Sequence, residues 1–283
     1  MRCVDSIIHL ALSLLVVLAL PAGADEIDIE NAPTPTRLIE LLPEGGIQAV
    51  DMDVLTITEA FRKGGRYPSL DTYTHWRMKP EDGKLVIELI SGRPKPRDYN
   101  TEQRWVYNAE GELESYQEVR VSKGNRVADL IGKIEDDQLV IKPNPEVKGL
   151  KQNMALQRSI SLETLKTHVP NAWIPLVRSY HIRAGHLGYH FATVDLTRNA
   201  EQIKRSVEDV GTESLTVGDQ AVVGHLILEK RSYKSKRKSN SPTLSMVLKD
   251  GGVFNGQSQN GDYTFKTRRA TSEEVRERFS FED

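Results

Sequence analysis

From Lys84 onward the chain alternates apolar and polar residues in twos between short turn signals, and this period restricts its fold more than any other feature. Successive side chains of a strand point to opposite faces, so Leu85, Ile87 and Leu89 share one face while Lys84 and Glu88 share the other. Glu81-Asp82-Gly83 supplies the turn before them. Two runs between Gln103 and Val121 flank Asn108-Ala109-Glu110-Gly111, with glycine where a positive φ is easiest to adopt, and predict a hairpin. A second pair is expected at Val127 to Gly132 and Gln138 to Lys142, around the acidic turn Glu135-Asp136-Asp137.

Pro143 to Gly149 makes the best internal break, and Met154 to Leu162 reads as another strand. Further strands are expected at Gly188 to Leu196, Gln202 to Val217, Ala221 to Arg231, Thr243 to Leu248 and Tyr263 to Arg268. Helical signals are few. Thr36 is placed to cap a short helix carrying Leu38, Ile39, Leu41 and Leu42, stopped by Pro43 and Gly45-Gly46. Trp173, Leu176, Val177 and Tyr180 follow helical spacing, with Gly185 as a stop, and Thr271 with Glu274 forms a capping-box pattern for a terminal helix reaching Phe279. About ten strands without βα alternation predict a β-rich α+β fold, its large sheet mainly antiparallel and packed on one or two short helices.

The first residues address the chain. Arg2, the apolar run Ser6 to Leu20, and small residues at Ala22 and Ala24 have the order of a secretory signal, with a cut before Asp25. A membrane anchor is the rival reading, but a spanning helix needs about 20 apolar residues and this run is shorter. The expected organisation is a signal peptide over 1–24, an extended lead and short helix over 25–50, and one β-rich domain over 51–283. The location is secreted or periplasmic, with no transmembrane anchor after cleavage. Cys3 is the only cysteine and precedes the apolar run, so the mature chain has no disulfide, thiol nucleophile or thiolate metal site. A formal charge of −2 gives no footprint for nucleic acid.

Residues that carry chemistry in other proteins make no pattern here. His181, His186 and His190 lie close in sequence, yet Gly185 and Gly188 interrupt any helix and no carboxylate follows until Asp195. Gly256-Gln257-Ser258-Gln259-Asn260-Gly261 lacks the second glycine of a nucleophile elbow and reads as a hairpin turn. Asp51 with Asp53, and Glu135-Asp136-Asp137, read as solvated turn acids rather than a catalytic or calcium-binding set. No catalytic residue, metal or cofactor is expected. The densest charge run, Lys230, Arg231, Lys234, Lys236, Arg237 and Lys238, is the best candidate surface for an anionic envelope component; the other reading is a solvated loop.

The stretch from Val207-Glu208-Asp209-Val210-Gly211-Thr212-Glu213-Ser214-Leu215-Thr216-Val217-Gly218 through Val222 to Glu229, then Leu244 to Leu248, Lys249-Asp250-Gly251-Gly252 and Gly261-Asp262-Tyr263-Thr264-Phe265, resembles a group of bacterial secreted domains of unknown function. Those domains are similar to the half-barrel of periplasmic lipoprotein carriers, and the resemblance implies a curved antiparallel sheet around a helix with an apolar hollow. This chain differs in its basic insert at Lys230 to Lys238 and in Met246, where an aromatic is usual. On the half-barrel reading, Trp105, Tyr107, Tyr116, Trp173 and Tyr180, together with Trp76, would line the hollow; ordinary core packing is the alternative. The expected function is non-catalytic binding of an apolar or lipid-like ligand or envelope component. Two alternatives are a structural interaction module with a fully packed sheet, and a secreted hydrolase. On export the chain is expected to lose residues 1–24. The intact mass of protein from an envelope fraction should match a chain beginning at Asp25, and a mass retaining the first residues would refute the cut.

Overall fold

Among the described residues sixteen strands form one sheet, and the order of those strands shows how the chain bends back on itself. The computed structural model describes residues 32–65, 68–93, 99–147, 157–197, 201–217, 220–233 and 242–279. All belong to one compact unit, Asn31–Asp283. The proposed signal peptide lies outside the described residues.

The first half is a meander: β2 (Met52–Arg62), β3 (Pro68–Glu81), β4 (Lys84–Arg93), β5 (Tyr99–Tyr107), β6 (Leu113–Ser122), β7 (Asn125–Glu135), β8 (Gln138–Pro143) and β9 (Arg158–Ser161), each antiparallel to the next. The second half is another: β11 (Gly188–Asp195), β12 (Glu201–Val217), β13 (Gln220–Tyr233), β14 (Thr243–Val247), β15 (Val253–Asn260) and β16 (Tyr263–Arg269). They join where β16 pairs with β2, from Tyr263↔Arg62 to Arg269↔Thr56. Two short strands, β1 (Ala32–Pro33) and β10 (Val169–Pro170), lie parallel to β11 along its free edge. The sheet is not closed by a ladder. Helix α2 (Leu162–Thr167) instead carries the chain from β9 at one end of the sheet to β10 at the other.

Two-residue alternation builds the inner face. Leu85 and Ile87 are wholly buried, Leu89 nearly so, and they meet Met78, Trp105, Tyr116, Leu139, Ile141, Tyr189 and Val207 in one core. Into it fits α3 (Ile174–Ala184), preceded by a 3-10 turn at Asn171–Trp173 and ended by Gly185 at φ +72°. Burial is not confined to the apolar stripe: Arg178, Ser179 and His181 on this helix are buried too, so the helix is enclosed rather than laid on a surface. The preceding segment joins the same core, with Leu38 and Leu41 of α1 (Leu38–Leu41), Ile47 and Val50 all buried. On the outer face, α4 (Ser272–Phe279) covers Leu55, Ile57 and Tyr73 with Val275 and Phe279. Arg278 fixes it by ion pairs to Glu59 and Asp71.

The fold is thus β-rich and mainly antiparallel on a few short helices, as the periodicity predicts. Its strands outnumber the expected ten because β2, β3 and β15 carry no clean alternation and β1 and β10 are only two residues long. In β2 both faces are covered, Val54 inward and Leu55 and Ile57 under α4. β3 starts at Pro68 and turns Thr74 inward; Asn255-Gly256-Gln257-Ser258 in β15 has the composition of a loop but is held between β14 and β16. The expected turn at Gly256 to Gly261 is therefore strand as far as Asn260. Thr36 does not cap α1; its hydroxyl donates to the Lys166 carbonyl, and the N-cap is Arg37 without a side-chain bond. The strand expected at Met154 to Leu162 is confined to Arg158–Ser161, Leu162 opening α2, while 154–156 lie outside the described residues.

The seat of α3 is close. Gly251 has φ +83°, and a Cβ there would overlap the Pro175 carbonyl oxygen. Gly251→Ala is expected to cost at least about 2 kcal/mol in urea unfolding, from backbone strain plus displacement of the helix N-terminus. A variant as stable as wild type would contradict this seating.

Candidate functional site

Alternation puts charge where apolar residues would ordinarily stand. On β12, Arg205 occupies the inward slot between Ile203 and Val207, and on β13 Glu229 and Arg231 follow Ile227 on the inward side. Arg205 pairs directly with Arg231 across the two strands, an arrangement that repels unless a counter-charge intervenes. Glu229 supplies it. Its Oε1 accepts from Arg231 Nε at 2.6 Å and from Arg205 Nη1, while Oε2 accepts from Arg178 Nη2 of α3 at 3.0 Å. Arg205 also donates through Nε to the Thr193 hydroxyl at 3.2 Å.

Glu229 is 2% exposed. Burial alone would raise its pKa, but Arg205, Arg231 and Arg178 hold it well below the carboxylate range. Burial draws the Arg205 pKa down against the pull of Glu229, whereas at Arg231 burial acts the same way and the carboxylate prevails, raising it. Glu229 remains ionised and the guanidiniums remain charged, so the cluster offers fixed charge and hydrogen-bond donors rather than a proton to exchange.

Beside this cluster is a cavity of about 310 Å³ between α3 and the inner face of the sheet. One part of its wall is apolar: Val54, Trp76, Leu89, Ile174, Pro175 and Val253. The remainder is polar, with the three arginines and hydroxyls such as Thr56, Thr74, Thr243, Ser245 and Thr267. Three wall residues carry buried polar atoms without a hydrogen-bond partner among the described residues: Trp76 Nε1, Asn171 Oδ1 and Arg178 Nε.

The aromatic residues singled out from the sequence come together in a neighbouring part of the core. Trp105 and Tyr116 meet edge to face at 4.6 Å, and Trp105 stacks at 6.5 Å on Tyr107. Tyr107 meets Trp173 at 5.5 Å, and Trp173 Nε1 donates to the Tyr107 hydroxyl at 2.9 Å. Burial pushes the Tyr107 pKa far up despite that bond. These four are at most 5% exposed and fill the interior against one another; Tyr180 is half-buried beside His181. Trp76 alone of the six lines the cavity.

The basic run divides. Arg231 faces inward onto Glu229. Lys230 points out, into an outer groove of about 670 Å³ shared with Thr34, His190, Lys204 and Ser206. Lys234, Lys236, Arg237 and Lys238 lie outside the described residues. Among the histidines, His181 is fully buried, stacked on Tyr189 at 3.8 Å. Thr34 donates its hydroxyl proton to the His190 carbonyl, so it accepts from His181 Nε2; His181 Nδ1 then accepts from His186 Nδ1 at 2.8 Å. Burial first, then His186 and His190, lower the His181 pKa to about 3. No group of three or more His, Cys, Asp or Glu among the described residues is placed to hold a metal ion. Asp53 lies within β2 rather than in a turn, bonded to His75 at 2.6 Å.

Sequence reasoning passed over Arg178, Arg205 and Glu229. The signal was present as Ile203-x-Arg205-x-Val207 and Ile227-x-Glu229-x-Arg231, charged residues in phase with buried ones. Such an interruption marks a polar interior.

No protein-family model matches the chain, and no curated protein matches it. Among solved structures it is similar to a β-barrel-like protein of the domain of unknown function DUF1849 from Brucella abortus, at 11% identity, with a TM-score of 0.52 over 78% of this chain and 98% of that one. A DUF1089 family protein from Pseudomonas aeruginosa aligns at 11% identity and TM-score 0.35 over 64% of this chain and 87% of its own. The fold is accordingly similar to that of the β-barrel-like Brucella protein.

Glu229→Gln leaves three guanidiniums without their counter-charge and is expected to cost about 3–5 kcal/mol in urea unfolding at neutral pH. The stabilisation from the ionised form is complete above the ordinary carboxyl pKa of 4.5 and is lost as pH falls toward the depressed folded value, so the gap between wild type and variant should narrow in acid. A gap constant from pH 7 to pH 3 would contradict the ion cluster.

Proposed function

We propose that this protein is a non-catalytic secreted or periplasmic binding protein that receives a lipid-like, amphiphilic ligand in the cavity between α3 and the sheet. One observation carries the reading: the interior is left unfilled where an apolar wall of Val54, Trp76, Leu89 and Ile174 faces a polar wall of hydroxyls and guanidiniums. Its volume lies at the small end of the range for ligand pockets, about 300–1,000 Å³, which suits one short chain or ring system with a polar end. Apolar burial against the first wall contributes about 25 cal/mol per Å², and the second fixes orientation. The aromatic contacts support a division of labour, with Trp105, Tyr107, Tyr116 and Trp173 as packed support and Trp76 as ligand contact.

A second reading, an interaction module of the envelope, is favoured by the β12–β13 ribbon. β11 pairs with β12 only as far as Glu208, and β14 with β13 only from His225, so beyond these the two strands pair with each other alone. Val210 and Val223 there are 47% and 54% exposed.

Native mass spectrometry of the protein gently extracted from its host's envelope separates the readings. An adduct of lipid mass is expected on the wild type and lost in Ser245→Phe, which fills the cavity. A bare mature mass under every extraction condition would overturn the carrier reading, and an adduct of protein mass would favour the interaction module.

A further inference from the structure

We propose that the three arginines of the cavity bind the oxyanion head of its ligand, a phosphate or carboxylate group. This deepens the carrier reading and rests on it.

Charge is the first ground. Among the described residues the cavity wall includes Arg178, Arg205 and Arg231 and no acidic residue. Glu229 lies behind them and is the carboxylate to which all three are paired, so the cluster holds a surplus of positive charge. Arg205 is 6% exposed and Arg178 is 9% exposed, while the Arg231 side chain is 35% exposed. Excess charge this deep is costly unless an anion neutralises it. A cationic ligand would be repelled, and a neutral one would leave the surplus uncompensated.

Convergence is the second. Arg205 and Arg231 reach Glu229 Oε1 from adjacent strands, while Arg178 reaches Oε2 from the helix across the interior. Three guanidiniums therefore meet within the width of one carboxylate, from two sides. Each carries five N–H donors in a planar fork matched to oxyanions, and some of these are used on Glu229, Thr193 and Tyr233. Arg178 Nε has no partner among the described residues.

The ion cluster around Glu118 shows the difference. Glu118 is wholly buried and accepts from Arg120, Arg158 and the Tyr116 hydroxyl, and Arg120 gives a further donor to the Thr197 carbonyl. There two guanidiniums face one carboxylate, which makes a strut between β6 and β9. Around Glu229 a third guanidinium is added from the helix, and all three border empty space.

Calorimetric titration of the full mature chain with decyl phosphate, decanoate, decanol and inorganic phosphate tests the assignment. Decyl phosphate or decanoate is expected to bind at least about tenfold more tightly than decanol, with an affinity that falls as salt is added. Arg178→Met should remove most of that preference for the anions over decanol, and Arg178→Lys should restore part of it. Both variants are checked for a wild-type melting transition, and the wild-type preference is read independently of either. Equal binding of decanol and the two anions would overturn the head-group assignment and leave the carrier reading intact. Inorganic phosphate bound as tightly as decyl phosphate would uphold the arginine site, name a free anion as its ligand and overturn the lipid-like reading. No binding by any of the four would overturn both.

Discussion

A sheet bent this far encloses a volume that its own side chains do not fill, and α3 is the element that occupies it. The helix is held by polar contacts as much as by apolar ones. Ser179 donates to the Lys249 carbonyl, Arg183 to the Leu41 carbonyl, and Arg178 to Glu229, while Trp173 just before it donates to Tyr107. These fix the rotation of the helix, which apolar packing specifies less sharply. Its rotation in turn decides that Arg178, rather than an apolar neighbour, meets the strands carrying Arg205 and Glu229.

The interior is therefore divided. On the side of β5 and β6 the aromatics Trp105, Tyr107 and Tyr116 close on Trp173 and exclude a guest. On the side of β12 to β14 and β2, smaller residues and charged ones leave space, since Ser245 and Thr56 cannot fill what a Phe or Trp would. Volume and charge are found together for a physical reason. Long guanidinium side chains radiating onto one carboxylate pack poorly against aliphatic neighbours, and the gap they leave is lined by their own donors.

Much of the fold was legible. Runs such as Leu85-Val86-Ile87-Glu88-Leu89, the turn at Asn108 to Gly111, and the capping pair Thr271 and Glu274, whose predicted bond forms at 3.1 Å, express local rules that the tertiary structure does not override. What escaped was set by distant partners. β2 has two buried faces because a helix more than two hundred positions later covers one of them, and β15 is a strand because two others flank it. The same holds for the cavity. The aromatics stood out in the sequence by their size, whereas Arg205 and Glu229 mattered through the register in which they met, and no local window contains that pairing.

The junction of β16 with β2 has a consequence in time. Tyr263 must find Arg62, so the ladder that unites the two meanders joins the last tenth of the chain to its first quarter. The first meander can assemble early from neighbouring hairpins, but it exposes the raw edge of β2 until nearly all the chain is available. Folding dominated by such distant pairings is slow. A protein built this way stays unfinished until its C-terminal strands arrive.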